Sequence, residues 1–249
     1  MKLEQYLKQI QTKLPPISFF YGDEDFLKQE AAQALRSRTL EPGMAGFNEQ
    51  ILYGNEIGLS EFVENCQMLP FGGKRRFIHV KDAHKMLQRT SKKEQELFKK
   101  YVETPSAASI VFLEAPAPSS KNSLWKFLEK NAVTVPCFPP YEKDLRAWTM
   151  RQIQKQKKRF TPKALNYFLQ KVDLHYLSAF NELQKVCLMA GDAEEITLDI
   201  IQNLISEKEP SVFDLLELVG MRTLGNALEM LQKLQLQSGF SAVGLISLL

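Results

Sequence analysis

Short apolar runs alternate with helically spaced apolar positions over the first 138 residues, and helical spacing alone continues beyond them. Leu3, Tyr6, Leu7, Ile10 and Leu14 share one helix face, and Pro15-Pro16 stops that helix. Residues 17–21 form a compact apolar strand broken by Gly22. Asp23-Glu24-Asp25 then opens a helix with Leu27, Ala31, Ala34 and Leu35 on one face and Arg36 and Arg38 at its far end, charges that suit the helix dipole. Residues 47–53 are a weaker strand, Ser60 is placed to cap a helix over 60–66, and residues 76–81 are a buried strand. Ser91-Lys92-Lys93-Glu94 reads as a capping box that launches a helix with Leu97, Phe98, Tyr101 and Val102 inward. Residues 109–113 are apolar on both faces, as a central parallel strand would be. Past a turn at Pro116 and Pro118, Leu124, Trp125, Phe127 and Leu128 mark another helix and residues 132–138 the last strand. Five strands alternating with helices predict an α/β sheet with helices on both faces.

Pro139-Pro140 closes that domain, and everything after it reads as helix. Asp144 caps a helix holding Leu145, Trp148 and Ile153, and Thr161-Pro162 is an N-cap followed by an N1 proline. Leu177, Phe180, Leu183 and Cys187 mark a third helix that ends near Gly191, and Thr197 starts a fourth. Glu209-Pro210 is a linker, followed by helices over 211–219 and 227–236 and one starting at Ser241. The expected domains are therefore 1–140, 141–209 and 210–249, the last begun and unfinished, since two helices and a stub cannot bury their own core.

One stretch fits neither the strand nor the helix pattern. Met68-Leu69-Pro70-Phe71 lies on the connection from the 60–66 helix to the 76–81 strand, followed by Gly72-Gly73 and the cations Lys74, Arg75 and Arg76. Connections run over the surface. Four apolar residues there are either folded under as a plug or exposed as a wedge for a partner's pocket.

Composition narrows the functional classes. With 44% hydrophobic and 24% charged residues the chain is ordinary for a soluble protein, and a net charge of +3 is too small for a general nucleic-acid coat protein. Three distant cysteines, Cys66, Cys137 and Cys187, suggest reduced, buried thiols in a cytoplasmic protein and have no metal-ligand spacing. No run approaches the ~18 apolar residues of a membrane span.

Strand, glycine, helix at 17–35 is where a phosphate-binding loop would sit, but Gly22 is followed by three carboxylates that would repel a triphosphate. Gly72-Gly73-Lys74 has Met68 in place of the leading glycine, Arg75 in place of Ser or Thr, and a strand after it. Asp82 and Glu114 stand where a magnesium-holding acid could follow a strand and read as turn residues instead. His79, His84 and His175 have no neighbouring pattern of a nucleophile or metal site. Between residues 151 and 171 there are seven Lys or Arg and no acid, centred on Lys155, Lys157, Lys158 and Arg159. Such a stripe is either a solvated helix end or a phosphate-backbone contact.

Several segments in order resemble the delta subunit of the bacterial DNA polymerase III clamp loader: Phe19 to Leu27, Gln67 to Arg76, Ile110 to Pro116, Pro140 to Trp148 and Asn181 to Val186. The resemblance implies an AAA+-like α/β domain that has lost its ATP site, then a helical lid and the start of a helical collar. It implies no cofactor and no catalytic site. The implied partners are the sliding clamp (beta), the motor subunits (gamma/tau), delta prime and primed DNA. Carried over by position, Met68, Leu69, Pro70 and Phe71 bind the clamp, with Pro70 and Phe71 at the tip in place of a common Leu-Phe pair. Lys74, Arg75 and Arg76 steer charge at the rim, and Lys155, Lys157, Lys158 and Arg159 are candidate DNA contacts. Two other classes stay open: a nucleic-acid-binding helical regulator built on 151–171, and a degenerate AAA+ ATPase.

Overall fold

The computed structural model describes residues 1–88, 90–118, 122–202, 215, 218–220 and 224–235. The chain divides into two compact units, Met1–Tyr141 with His175–Leu177, and Glu142–Leu174 with Ser178–Leu249.

The first unit is built on strands β1 (Ile17–Tyr21), β2 (Glu49–Tyr53), β3 (Arg76–Lys81), β4 (Ser109–Ala115) and β5 (Val133–Pro136), all parallel, in the order β2-β3-β4-β1-β5. Its helices are α1 (Leu3–Thr12), α2 (Asp25–Thr39), α3 (Ala45–Asn48), α4 (Leu59–Gln67), α5 (Ala83–Met86), α6 (Lys92–Glu103) and α7 (Ser123–Asn131). Alternation of side chains along β1 shows why both faces need cover. Phe20 meets Tyr6 of α1 edge-on at 4.9 Å, while its neighbour Phe19 points the other way and meets Trp125 of α7 at 4.8 Å. The five strands and the two-sided cover follow the sequence expectation. Ser91 and Glu94 form the expected capping box at the start of α6.

Local starts differ in two places. α4 begins at Leu59 with Gly58 as its N-cap, so Ser60 lies inside the helix and caps nothing. Asp144 likewise falls within the first turn of α8 (Glu142–Lys155), beside Glu142, where both acids still favour the dipole.

The second unit contains α8, α9 (Pro162–Lys171), α10 (Tyr176–Ala190), α11 (Leu198–Gln202) and α12 (Leu224–Gln235). Thr161 caps α9 by accepting from the Ala164 amide, with Pro162 at the first position. Two short strands absent from the sequence reading, β6 (Arg159–Phe160) and β7 (Glu195–Ile196), pair in parallel. Two residues each are too few to leave an alternating pattern. Leu145, Trp148, Phe168, Leu183, Val186 and Ile201 are buried here. Leu215, Ala227 and Leu234 form a separate small cluster. The linker at 209–210, most of the 211–219 helix and the helix from 241 lie outside the described residues.

Candidate functional site

α4 buries Phe62, Val63 and Cys66 and stops at Gln67; Met68 is extended (φ −62°, ψ 140°), which throws the following residues out of the helix. Leu69 is 82% exposed, Phe71 66% and Met68 51%. Met68, Leu69 and Phe71 are therefore exposed on the connection and not folded under as a plug. Pro70, expected at the tip with Phe71, is half-buried, and the projecting pair is Leu69 and Phe71. Gly72 turns the chain back with φ +60°, a conformation that disfavours side chains.

Two anchors hold this turn. Asn48, at the end of α3 and 1% exposed, accepts from the Phe71 amide at 2.8 Å and donates to the Phe71 carbonyl at 2.9 Å. Gly73 leaves room for it, since a Cβ there would lie 3.0 Å from Asn48 Nδ2. Arg76, the first residue of β3, closes the far side. Its guanidinium donates to the Asn65 carbonyl at 2.9 Å and to Gln50 Oε1 at 2.7 Å. Asn65 O belongs to the last turn of α4, so the cation also meets the negative end of that helix. Gln50 Nε2 in turn donates to Asn65 Oδ1 at 2.8 Å, and Asn65 Nδ2 to the Glu61 carbonyl at 2.8 Å. The wedge thus has apolar side chains outside and a hydrogen-bonded polar network beneath.

That network corrects one expectation. Arg76 is buried and serves the base of the turn, whereas Lys74 and Arg75 remain exposed and are the cations available beside the wedge. Sequence reasoning also missed Phe47. It was assigned to a strand over 47–53, but β2 starts at Glu49, and residues 45–48 make one helical turn that leaves Phe47 65% exposed with its ring centroid 5.3 Å from that of Phe71. Gly43 just ahead of the turn and Gly46 within it were the available signal against a strand reaching back to Phe47.

The strand ends facing the β1–α2 connection border a cleft of about 380 Å3 lined by Asp25, Lys28, Tyr53, His79, Asp82 and Glu114 among others. This is where a nucleotide would lie in a phosphate-loop fold. The amides of Gly22 and Glu24, which would face phosphate, donate instead to the Ala115 and Cys137 carbonyls at 3.1 Å each. A side chain at Gly22 would strike the Cys137 carbonyl oxygen at 1.9 Å, so the turn is pressed against β5. Lys28 stands six residues after Gly22, the spacing of a phosphate-loop lysine, but its buried Nζ donates to the Gly22 carbonyl at 2.8 Å and pairs with Asp25 at 2.7 Å. Burial raises the Glu24 carboxyl above its ordinary value. Asp82 is in a left-handed turn, paired with Lys85 at 3.0 Å. Glu114, expected in a turn, lies inside β4 with an oxygen 3.1 Å from His79 Nε2. Burial pushes the Cys66 and Cys137 thiols up to about 12, so neither is a ready nucleophile, and Cys187 is only half-buried. No cluster of three or more metal-ligating side chains occurs among the described residues.

The basic stripe is partly consumed within its own unit. Lys158 Nζ donates to the Gly191 and Ala193 carbonyls at 2.5 and 2.7 Å, just past the C-terminal end of α10. Arg159 pairs with Glu195 at 3.2 Å across β6 and β7. Lys155 ends α8 and Lys157 follows with φ +57°, both exposed. Lys155, Lys157 and Arg159 are thus exposed, and Lys158 is the one of the four that is half-buried.

The DNA polymerase III, delta subunit family model matches residues 19–138, the span from β1 to just past β5. DNA polymerase III subunit delta of Bacillus subtilis (strain 168) is 26% identical over 230 residues, 90% of this chain. The chain covers 66% of that relative's length. The solved Bacillus subtilis DNA clamp loader delta protein is similar with a TM-score of 0.74 and 25% identity, over 98% of this chain and 75% of that one. A RuvB variant of Thermotoga maritima shares the fold alone, with a TM-score of 0.51 and 13% identity over 87% of this chain and 73% of that one. No helix among the described residues is long and apolar enough to cross a membrane. The sheet unit is AAA+-like, helical elements follow it, and the chain is similar to DNA polymerase III delta subunits over 90% of its length, with residues 19–138 matching that family's model.

Proposed function

We propose that the chain is the clamp-opening subunit of a clamp loader and engages the ring-shaped sliding clamp through Met68, Leu69, Pro70 and Phe71. The observation that carries this reading is the outward projection of Leu69 and Phe71 from a turn fixed by Asn48 and Arg76. Exposed apolar side chains are common one at a time, but Leu69, Phe71 and Phe47 are gathered on one anchored turn, which suits a partner's apolar pocket. Burying each in a pocket contributes ~1.5–3 kcal/mol, and the fixed turn avoids part of the ordering cost. Lys74 and Arg75 would meet acids at the pocket rim and act mainly on association rate.

Ring opening requires that the wedge fit the open clamp better than the closed one, because a ligand with equal affinity for both shifts nothing. The subunit has no catalytic site of its own. Gly22 and Lys28, committed to internal bonds, suit a chain that leaves ATP hydrolysis to motor subunits (gamma/tau) and works in the cytoplasm with them, delta prime and primed DNA. On this reading residues 1–140 would be the clamp-binding domain, 141–209 the lid, and 210–249 would belong to the collar. Any direct DNA contact by the stripe would come from its exposed cations Lys155, Lys157 and Arg159, while Lys158 donates to carbonyls within its own unit.

The test is a sliding clamp with a self-quenching fluorophore pair across one subunit interface. Adding the chain should relieve quenching, and Leu69→Ala/Phe71→Ala should not. Relief by both proteins alike would place the opening element elsewhere.

A further inference from the structure

We propose that Phe47 is a second binding residue of the wedge, so that the partner pocket takes two aromatic rings side by side instead of one. This rests on the clamp-binding reading above and adds a residue from a different element to it. Phe47 and Phe71 are 24 positions apart, yet their rings are tilted by 40° with centroids 5.3 Å apart, within the range of an attractive aromatic pair. Both remain about two-thirds exposed. A pair formed only to hide apolar surface would cover more of itself.

The register of the pair is built in. Asn48, the residue next to Phe47, holds both main-chain polar groups of Phe71, so the two rings are fixed to each other through one buried amide. Met44, ahead of α3, reaches the other side of the turn, with its sulfur 3.7 Å from where a Cβ on Gly72 would be. The exposed apolar surface therefore joins Phe71 to Phe47, with exposed Leu69 two residues before Phe71, and Lys74 and Arg75 follow Gly73 in the chain. An occupant must offer an apolar slot wide enough for two rings with carboxylates at its edge. Among the clamp loader's partners that is the same pocket on the sliding clamp, because Phe47 is too close to Phe71 for a different protein to cover it while Phe71 is engaged.

The experiment is a double-mutant cycle on the full chain: affinity for the purified sliding clamp of Phe47→Ala, Phe71→Ala and the pair, with thermal unfolding to confirm that each is folded. Phe47→Leu serves as a variant that keeps apolar bulk without the ring. The expected result is a loss of about tenfold for Phe47→Ala, ~1.4 kcal/mol, with a double mutant less impaired than the product of the two single losses. Phe47→Leu should fall between wild type and Phe47→Ala. A folded Phe47→Ala that loses less than about threefold while Phe71→Ala loses tenfold overturns the two-ring slot and leaves the wedge intact. Loss in neither overturns both.

Discussion

Replacing Asn48 by alanine tests whether the wedge is held or merely resting. The side chain makes two hydrogen bonds to one residue, at 2.8 Å from the Phe71 amide and 2.9 Å to the Phe71 carbonyl. Each contributes ~0.5–1.5 kcal/mol net, so their joint loss amounts to ~1–3 kcal/mol. The lower half of that range is favoured because Phe71 is exposed and water can replace part of what is lost. Equilibrium unfolding in urea should show a lower midpoint with an unchanged slope, and limited proteolysis should cut between Met68 and Lys74 faster than in wild type. Asn48→Asp keeps the acceptor, removes the donor and buries a charge, so at neutral pH it should be worse than alanine. Burial would raise that carboxyl's pKa, so the excess penalty should shrink in acid as it protonates. An Asn48→Ala protein with the wild-type midpoint and cleavage rate would refute the anchoring argument.

Arg76→Met should cost ~2–3 kcal/mol, read by urea unfolding, since it strips charged hydrogen bonds from the Asn65 carbonyl and Gln50 in a buried network; a surface cation of the kind spacing suggested would cost under ~0.5 kcal/mol. Gly22→Ala should fail to give a stable fold, as its Cβ would meet the Cys137 carbonyl oxygen at 1.9 Å with φ at +129°; a soluble variant with wild-type melting would contradict the packing described for this turn. Hydrogen bonds from the Ser91 backbone and then its hydroxyl hold the Glu94 carboxyl below its ordinary value. The capping box therefore contributes stability above the unfolded-state pKa and loses it as pH falls through the folded one. The stability gap between wild type and Glu94→Ala should narrow from about pH 6 to about pH 3, and a gap that widens in acid would reverse the sign.

The sheet was legible in the sequence because its strands carry their own signals. Residues 110–113 are apolar throughout, and β4 is central. The helices of the second unit were legible from spacing and from Thr161-Pro162. What escaped were features decided by tertiary contact. Phe47 looked like the start of a strand because apolar residues follow it at β spacing; only the Asn48 bonds to Phe71 show why the chain turns there. Arg76 looked like Lys74 and Arg75 because three adjacent cations carry no mark of direction. Alternation on entering β3 turns one of them inward to the end of α4. The wedge residues themselves were legible, since an apolar run on a connection is anomalous. Their exposure was not, because a plug and a wedge have the same composition. Pro70 and Leu69 exchanged places for the same reason: which residue projects depends on the turn made after Met68. The basic stripe left two uses open in the sequence, because a cation that satisfies carbonyls past a helix end, as Lys158 does, resembles one that waits for a phosphate.

The central claim is that Leu69 and Phe71 insert into the sliding clamp. The most direct measurement is the affinity of the purified chain for that clamp by isothermal titration calorimetry, wild type against Leu69→Ala/Phe71→Ala. Circular dichroism should show both proteins folded, because the side chains removed are exposed. The account predicts a loss of at least tenfold, ~1.4 kcal/mol, together with a less negative heat-capacity change on binding as apolar burial is reduced. A folded double variant that binds as tightly as wild type, with the same heat-capacity change, would contradict it.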